Sequence, residues 1–115
     1  MLTDLGYTEL IKLDSLRTIR VFLKLVQLRD INNSIKITQK ELSAKLNLKN
    51  KANVNSSIAE LLEKDFIKKT KDKDNKTVYY INPNLCVTQK CYTELQKKYN
   101  AINFDIAKAL ENLNF

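Results

Sequence analysis

Residues 1 to 13 show no clear period, but from Asp14 onward Leu16, Ile19, Leu23 and Val26 recur at helical spacing and predict a first helix. Asp14 or Ser15 serves as its N-cap, and Asp30-Ile31-Asn32-Asn33 closes it. Ser34-Ile35-Lys36-Ile37 then alternates polar and apolar, which reads as a short strand. Thr38-Gln39-Lys40-Glu41 has the form of a capping box, in which the Thr38 hydroxyl accepts the Glu41 amide and the Glu41 carboxylate reaches back. The helix it opens turns Leu42 and Leu46 inward and ends at Asn47, a residue that tolerates the left-handed conformation.

Leu48 to Asn50 reads as a turn. Val54, Ile58, Leu61 and Leu62 then form a second apolar stripe, predicting a helix from about Lys51 to Lys64. Beyond it the period changes to two. Phe66–Thr70 and Thr77–Ile81 are rich in β-branched and aromatic residues and flank 71–76, which contains no apolar residue, so a hairpin with a charged tip is expected. Asn82-Pro83-Asn84 ends it, because proline cannot donate to the ladder. From about Thr88 to Leu113 the sequence predicts one long helix, or two broken near Asn100 to Asn103. Tyr92, Leu95, Tyr99, Ile102, Ile106, Ala109 and Leu113 fall at alternating spacings of three and four, the pattern of a helix-pairing seam or of a stripe covering the chain's own core.

The order helix, short strand, capped helix, turn, helix, hairpin is that of a winged helix-turn-helix, so the fold class is α+β, mainly helical, with a long C-terminal helix. The expected division is a DNA-binding unit over 1–87 and a dimerisation helix over 88–115. The runs ITQKELSAKLNL, VNSSIAELLEKDFIKK and VYYINPNL resemble the MarR-like winged-helix domain of plasmid replication proteins over roughly residues 14 to 85. The Tyr80-Ile81-Asn82-Pro83 exit from the wing carries the narrower part of that resemblance. Asn47 and Asp65 stand where such domains usually have glycine, and one additional residue lies between Leu48 and Val54. The resemblance implies a mobile-element role in replication, partition or transfer-origin function, or in transcriptional control.

Composition narrows the chemistry. At 115 residues the chain suits one compact domain. It has no His, which removes the commonest general base and metal ligand, and its single Gly6 cannot build a phosphate loop. An enzyme is therefore not expected, nor is a cofactor or a metal. Cys86 and Cys91 lack the second ligand pair of a zinc site and read as structural thiols. Met1-Leu2-Thr3-Asp4 does not open a signal peptide, and no stretch approaches the roughly 20 apolar residues of a membrane span, so a cytoplasmic protein is expected.

The net charge of +7 favours an anionic partner, although Lys, Asn and Ile together fill 40 of 115 positions, as AT-rich codons would dictate. Location separates the two explanations. Eleven Lys and six acids lie between Lys36 and Lys76, so most of the excess charge falls in the helix-turn-helix and wing. Turning Val54, Ile58 and Leu61 inward points Ala52, Asn53, Ser56, Ala59 and Glu60 outward as candidate base readers, with Asn53 suited to adenine. Lys40, Lys49, Lys51, Lys68, Lys69, Lys71, Lys73 and Lys76 are candidate phosphate contacts. No Arg follows Arg29, so an Arg fork to guanine is unavailable from the recognition helix or wing and an A·T-rich target is expected. The function expected is sequence-specific binding of repeats in double-stranded DNA by a homodimer, with a possible partner protein at the site. The alternative is a protein-interaction module that works through the heptad helix.

Overall fold

The computed structural model describes residues 1–47, 51–88 and 92–102. Among the described residues, five helices and a three-stranded sheet run in the order α1 (Asp4–Ile11), α2 (Leu16–Leu28), β1 (Ser34–Lys36), α3 (Gln39–Lys45), α4 (Lys51–Glu63), β2 (Ile67–Lys71), β3 (Thr77–Ile81) and α5 (Tyr92–Asn100). The sheet is antiparallel with order β1-β3-β2, pairing Ile35 with Tyr79 and Lys69 with Tyr79 from either side. This is the winged-helix architecture that the order of periods predicts.

α2 follows a different stripe from the one expected. Its buried residues are Thr18, Val21, Phe22 and Leu25, themselves at helical spacing, whereas Leu16 is 71% and Leu23 42% exposed. The helix carries two apolar stripes, and the core takes the one that bears Phe22, whose ring packs edge-on against Phe66 at 5.1 Å. Leu42, Val54, Ile58, Leu61, Leu62, Ile67, Tyr79 and Ile81 complete that core. Ser15 is the N-cap of α2, its hydroxyl accepting the Thr18 amide.

The helix-turn-helix pair is closed by a side-chain cap at its start and by backbone bonds at its end. Thr38 and Glu41 form the complete capping box. α4 ends in a Schellman motif: the Phe66 amide donates to the Leu61 carbonyl at 2.9 Å and the Asp65 amide to Leu62 at 3.3 Å, with Asp65 at φ 59°. Asn47 likewise takes φ 57° at the end of α3. The positions that lack glycine thus adopt the conformation glycine would supply.

The first thirteen residues form an element the period did not reveal. Thr3 caps α1, its hydroxyl accepting the Gly6 amide at 2.9 Å while donating to the Asn84 carbonyl at 2.6 Å. Leu2 pairs with Cys86 as an antiparallel bridge, and the Met1 ammonium donates to the Val87 carbonyl. α1 crosses the backbone at Leu85 so closely that a Cβ on Gly6 would lie 2.0 Å from the Leu85 oxygen. Glycine is required there by contact, not by dihedral angle.

The C-terminal region departs from the continuous-helix expectation. α5 ends at Asn100, and Ala101 and Ile102 form a turn whose amides donate to Lys97 and Tyr99. This falls within the interval where a break was allowed. Leu95 and Tyr99 are 1% and 3% exposed within the chain itself, so two of the seven seam positions serve its own core and are not open to a partner helix. Tyr92 is exposed and its hydroxyl bonds to the Asn84 side chain, and Ile102 is half-buried. Ile106, Ala109 and Leu113 lie outside the described residues, as does Cys91, while Cys86 is a buried free thiol.

Candidate nucleic-acid interface

The exposed arc of α4 is narrower than its helical wheel implies. Ser56 is exposed and Ala52 and Asn53 are half-buried, so these three remain on the open face. Ala59 does not. At 8% exposure it is part of the core, because α4 is enclosed on more than half its circumference by α2, α3 and the sheet. Glu60 is half-buried and engaged within the protein: its carboxylate accepts the Thr18 hydroxyl at 2.8 Å and pairs with Lys64 at 3.1 Å.

That engagement belongs to a polar layer between α2 and α4 which sequence reasoning missed. Ser57 is 1% exposed, and its hydroxyl pairs with the Thr18 hydroxyl at 3.2 Å and accepts the Arg17 Nε–H at 3.3 Å. Position 57 sits on the same helical stripe as Val54, Ile58 and Leu61, so the signal for its burial was present. Its partners, about forty residues away in the chain, were not visible. Bonded polar groups of this kind fix the axial register of the two helices more firmly than methyl contacts do.

The candidate lysines divide into three groups. Lys40, Lys71, Lys73 and Lys76 are exposed, at the start of α3 and along the wing. Lys69 is half-buried within β2, where burial and then the neighbouring Lys71 lower its ammonium below the usual lysine range. Lys68 is half-buried at the base of the wing: its Nζ donates to the Tyr99 carbonyl at 3.2 Å and lies 4.4 Å from the Tyr99 ring centroid, which holds it against α5. Lys49 is outside the described residues, and of Lys51 only the backbone, at the first position of α4, is described.

The wing is preorganised by an acid that dilutes its charge. Asp72 Oδ1 accepts the amides of Asp74 and Lys76 at 3.0 and 2.9 Å, and Asn75 supplies the left-handed step at φ 63°. Asp72 Oδ2 pairs with Lys36 of β1 at 2.5 Å. The bond to Lys36, followed by the turn amides, holds the Asp72 carboxyl below the usual range, and Lys36 is raised in return. The wing tip therefore presents Lys71, Lys73 and Lys76 on a hairpin whose shape is set by Asp72.

At the base of the wing the Tyr99 hydroxyl donates to Asp65 Oδ1 at 2.8 Å, and the Asn82 amide donates to the Asp65 carbonyl at 2.9 Å. Burial, reinforced by the Asp65 carboxylate, raises the Tyr99 phenol well above the ordinary tyrosine value. α4, the wing exit and α5 thus meet at Asp65. The described residues contain no group of His, Cys, Asp and Glu able to hold a metal ion. Nor do they contain a helix long and apolar enough to cross a membrane.

No curated protein and no solved structure gives a significant match to the chain. A family model does match. Described as MarR family, it covers residues 24–78, from the second half of α2 through β1, α3, α4 and β2 into β3, and so includes the open face of α4 and the entire wing turn. With the β1-β3-β2 sheet and the capped helix pair already in view, the chain carries a winged-helix domain whose residues 24–78 are similar to the MarR family.

Proposed function

We propose that this protein is a sequence-specific double-stranded DNA-binding protein of a plasmid or other mobile element. It would act at repeats in replication, partition or transfer-origin function, or as a transcriptional regulator. The observation that carries the reading is the open face of α4: exposed Ser56 and half-buried Asn53 lie on a helix locked to α2 by Ser57, Thr18 and Glu60, flanked by a wing bearing three exposed lysines. A rigid helix with small hydrogen-bonding side chains suits a major groove, and Asn53 is placed to pair with adenine. The wing lysines and Lys40 would position the duplex through its phosphates. The MarR family is one of DNA-binding regulators, which supports the coarser part of this reading.

A homodimer is part of the proposal, with half-sites about one helical turn, ~34 Å, apart. Support comes from apolar side chains outside the helix-turn-helix: Tyr7 and Ile11 of α1 and Leu16 of α2 are 53%, 80% and 71% exposed. The remaining seam positions Ile106, Ala109 and Leu113 would add to such an interface. Sedimentation of the full chain against one truncated after Ile102 tests it, with a smaller species expected for the truncated form if the last thirteen residues hold the dimer together.

The DNA reading is tested by anisotropy of labelled duplexes drawn from a selection on random sequence. Affinity should fall steeply between about 50 and 200 mM salt. Asn53→Ala should flatten the preference among sequences, at a cost of about 1–3 kcal/mol on the selected site. Lys71→Ala with Lys73→Ala should weaken all duplexes alike. Absent or salt-insensitive binding by the unaltered protein overturns the reading.

A further inference from the structure

A second cationic feature lies on α2, outside the recognition helix and the wing. Arg17, Arg20 and Lys24 occupy positions i, i+3 and i+7 and so share one face of that helix. Their attachments show which way the face looks. Arg17 Nε reaches Ser57 of α4, and an Arg20 terminal nitrogen donates to the Leu46 carbonyl at 3.2 Å, closing the C-terminal end of α3 where the chain turns toward α4. Lys45 joins from α3, and Arg20, Lys24 and Lys45 line an open groove of about 500 Å³ together with Leu23, Gln27 and Asn47.

Two properties set this groove apart from an ordinary solvated face. No acidic residue lines it, and none of the four cations takes part in an ion pair among the described residues, where the pairs are Lys12–Glu9, Lys36–Asp72 and Lys64–Glu60. Its position is also defined relative to α4, because the stripe begins beside the middle of that helix and ends at the turn that leads into its N-terminus. From Arg17 to Lys24 the stripe spans about 10 Å at 1.5 Å per residue.

We infer that Arg17, Arg20, Lys24 and Lys45 form a second phosphate-binding track, which grips the DNA strand bordering the groove that α4 enters. The inference rests on the DNA-binding reading above and deepens it. It moves part of the footprint onto α2, and it gives the three arginine-poor elements of the interface an arginine contribution from a helix not expected to touch DNA. Arg17 and Arg20 suit phosphate because the guanidinium offers a planar fork of donors, two of whose bonds are already directed by Ser57 and Leu46.

The test is the salt dependence of binding to a mixed-sequence duplex of about 30 base pairs, where phosphate contacts dominate. The variant is Arg17→Gln, Lys24→Gln, Lys45→Gln, with Arg20 kept because it also caps α3. A charge-matched comparison is Lys12→Gln, Lys97→Gln, Lys98→Gln, and circular dichroism melts establish that both variants are folded. The slope of log affinity against log salt should fall by about 2 to 3 in the first variant, roughly 0.9 for each lost contact, and change little in the second. An unchanged slope in the first variant, with the unaltered protein still binding, overturns the track while leaving the DNA reading intact, and would assign the groove to an acidic protein. Equal loss in both variants reduces the effect to net charge and also overturns it. If the unaltered protein binds no duplex, both readings fall together.

Discussion

Replacing Gly6 with alanine isolates one contact on which the docking of α1 depends. An added Cβ would stand 2.0 Å from the Leu85 oxygen, 3.0 Å from its carbonyl carbon and 3.3 Å from its Cα, all backbone atoms with no rotamer to yield. Helix propensity works in the opposite direction and favours alanine by at most about 1 kcal/mol. Overpacking against a fixed neighbour costs about 1–3 kcal/mol. Displacing α1 also strains the Thr3 amide bond to Leu85 at 2.9 Å and the Thr3 hydroxyl bond to Asn84, each contributing about 1 kcal/mol. The net expectation is destabilisation by about 2 kcal/mol, a fall in Tm of about 10 °C for a domain of this size. Thermal melts followed by circular dichroism measure it, with Thr8→Ala on the exposed side of α1 as the comparison, expected to be neutral or slightly stabilising. A Gly6→Ala protein as stable as the parent would refute the close crossing, because propensity alone would then have decided the outcome.

Three further substitutions probe the joints around the interface. Thr38→Ala removes the capping box of α3 and should lower stability by about 1 kcal/mol in urea titration, with Glu41→Ala costing less because only the reciprocal arm is lost. Tyr99→Phe deletes the bond to Asp65 and should cost about 1 kcal/mol at neutral pH. The folded phenol is raised above its unfolded value, so the stability linked to its protonated form is complete below about pH 10 and is lost as pH climbs past that value, where only the unfolded chain ionises. Urea midpoints between pH 9 and about 11 should therefore fall more steeply in the parent than in Tyr99→Phe. Parallel curves would place the hydroxyl in solvent.

Local signals were legible wherever one residue and its near neighbours decide the outcome. The capping box at Thr38, the stripe of α4, the strand pair around 71–76 and the stop at Pro83 all depend on contacts a few residues apart, and each is where its period placed it. What escaped was decided between segments. Ile19 and Leu23 gave as good a helical period as Val21, Phe22 and Leu25, and only the arrival of Phe66 chose between the two faces of α2. Ala59 looked outward on a wheel, yet the enclosure of α4 by three elements buries it. Lys68 carried the same charge as Lys71 but meets Tyr99, thirty-one residues on, which no spacing rule foresees. Asn33 closes the turn after α2 as its position predicts, its backbone amide donating to the Asp30 carbonyl at 3.1 Å. Its side-chain amide also donates to the carbonyls of Ile81 and Cys86, tying the start of β1 to the wing exit, and those bonds exist only in the assembled fold.

The scarcity of glycine shows how composition and conformation were reconciled. The described chain takes positive φ at Asn33, Asn47, Asp65 and Asn75, and at no glycine. Every such position is Asn or Asp, the residues whose short polar side chains make the left-handed region least unfavourable after glycine. The chain has thirteen Asn and one Gly, and the left-handed steps of its described turns are filled by Asn and Asp. The substitution was not neutral, because a side chain at these corners can bond where a glycine cannot. Asn33 fastens β1 to β3, and Asp65 receives Tyr99 and thereby joins α5 to the end of α4. The one glycine kept is Gly6, where the demand is for absence of a Cβ and no polar substitute suffices. Glycine was replaceable where the fold required a dihedral angle and irreplaceable where it required space.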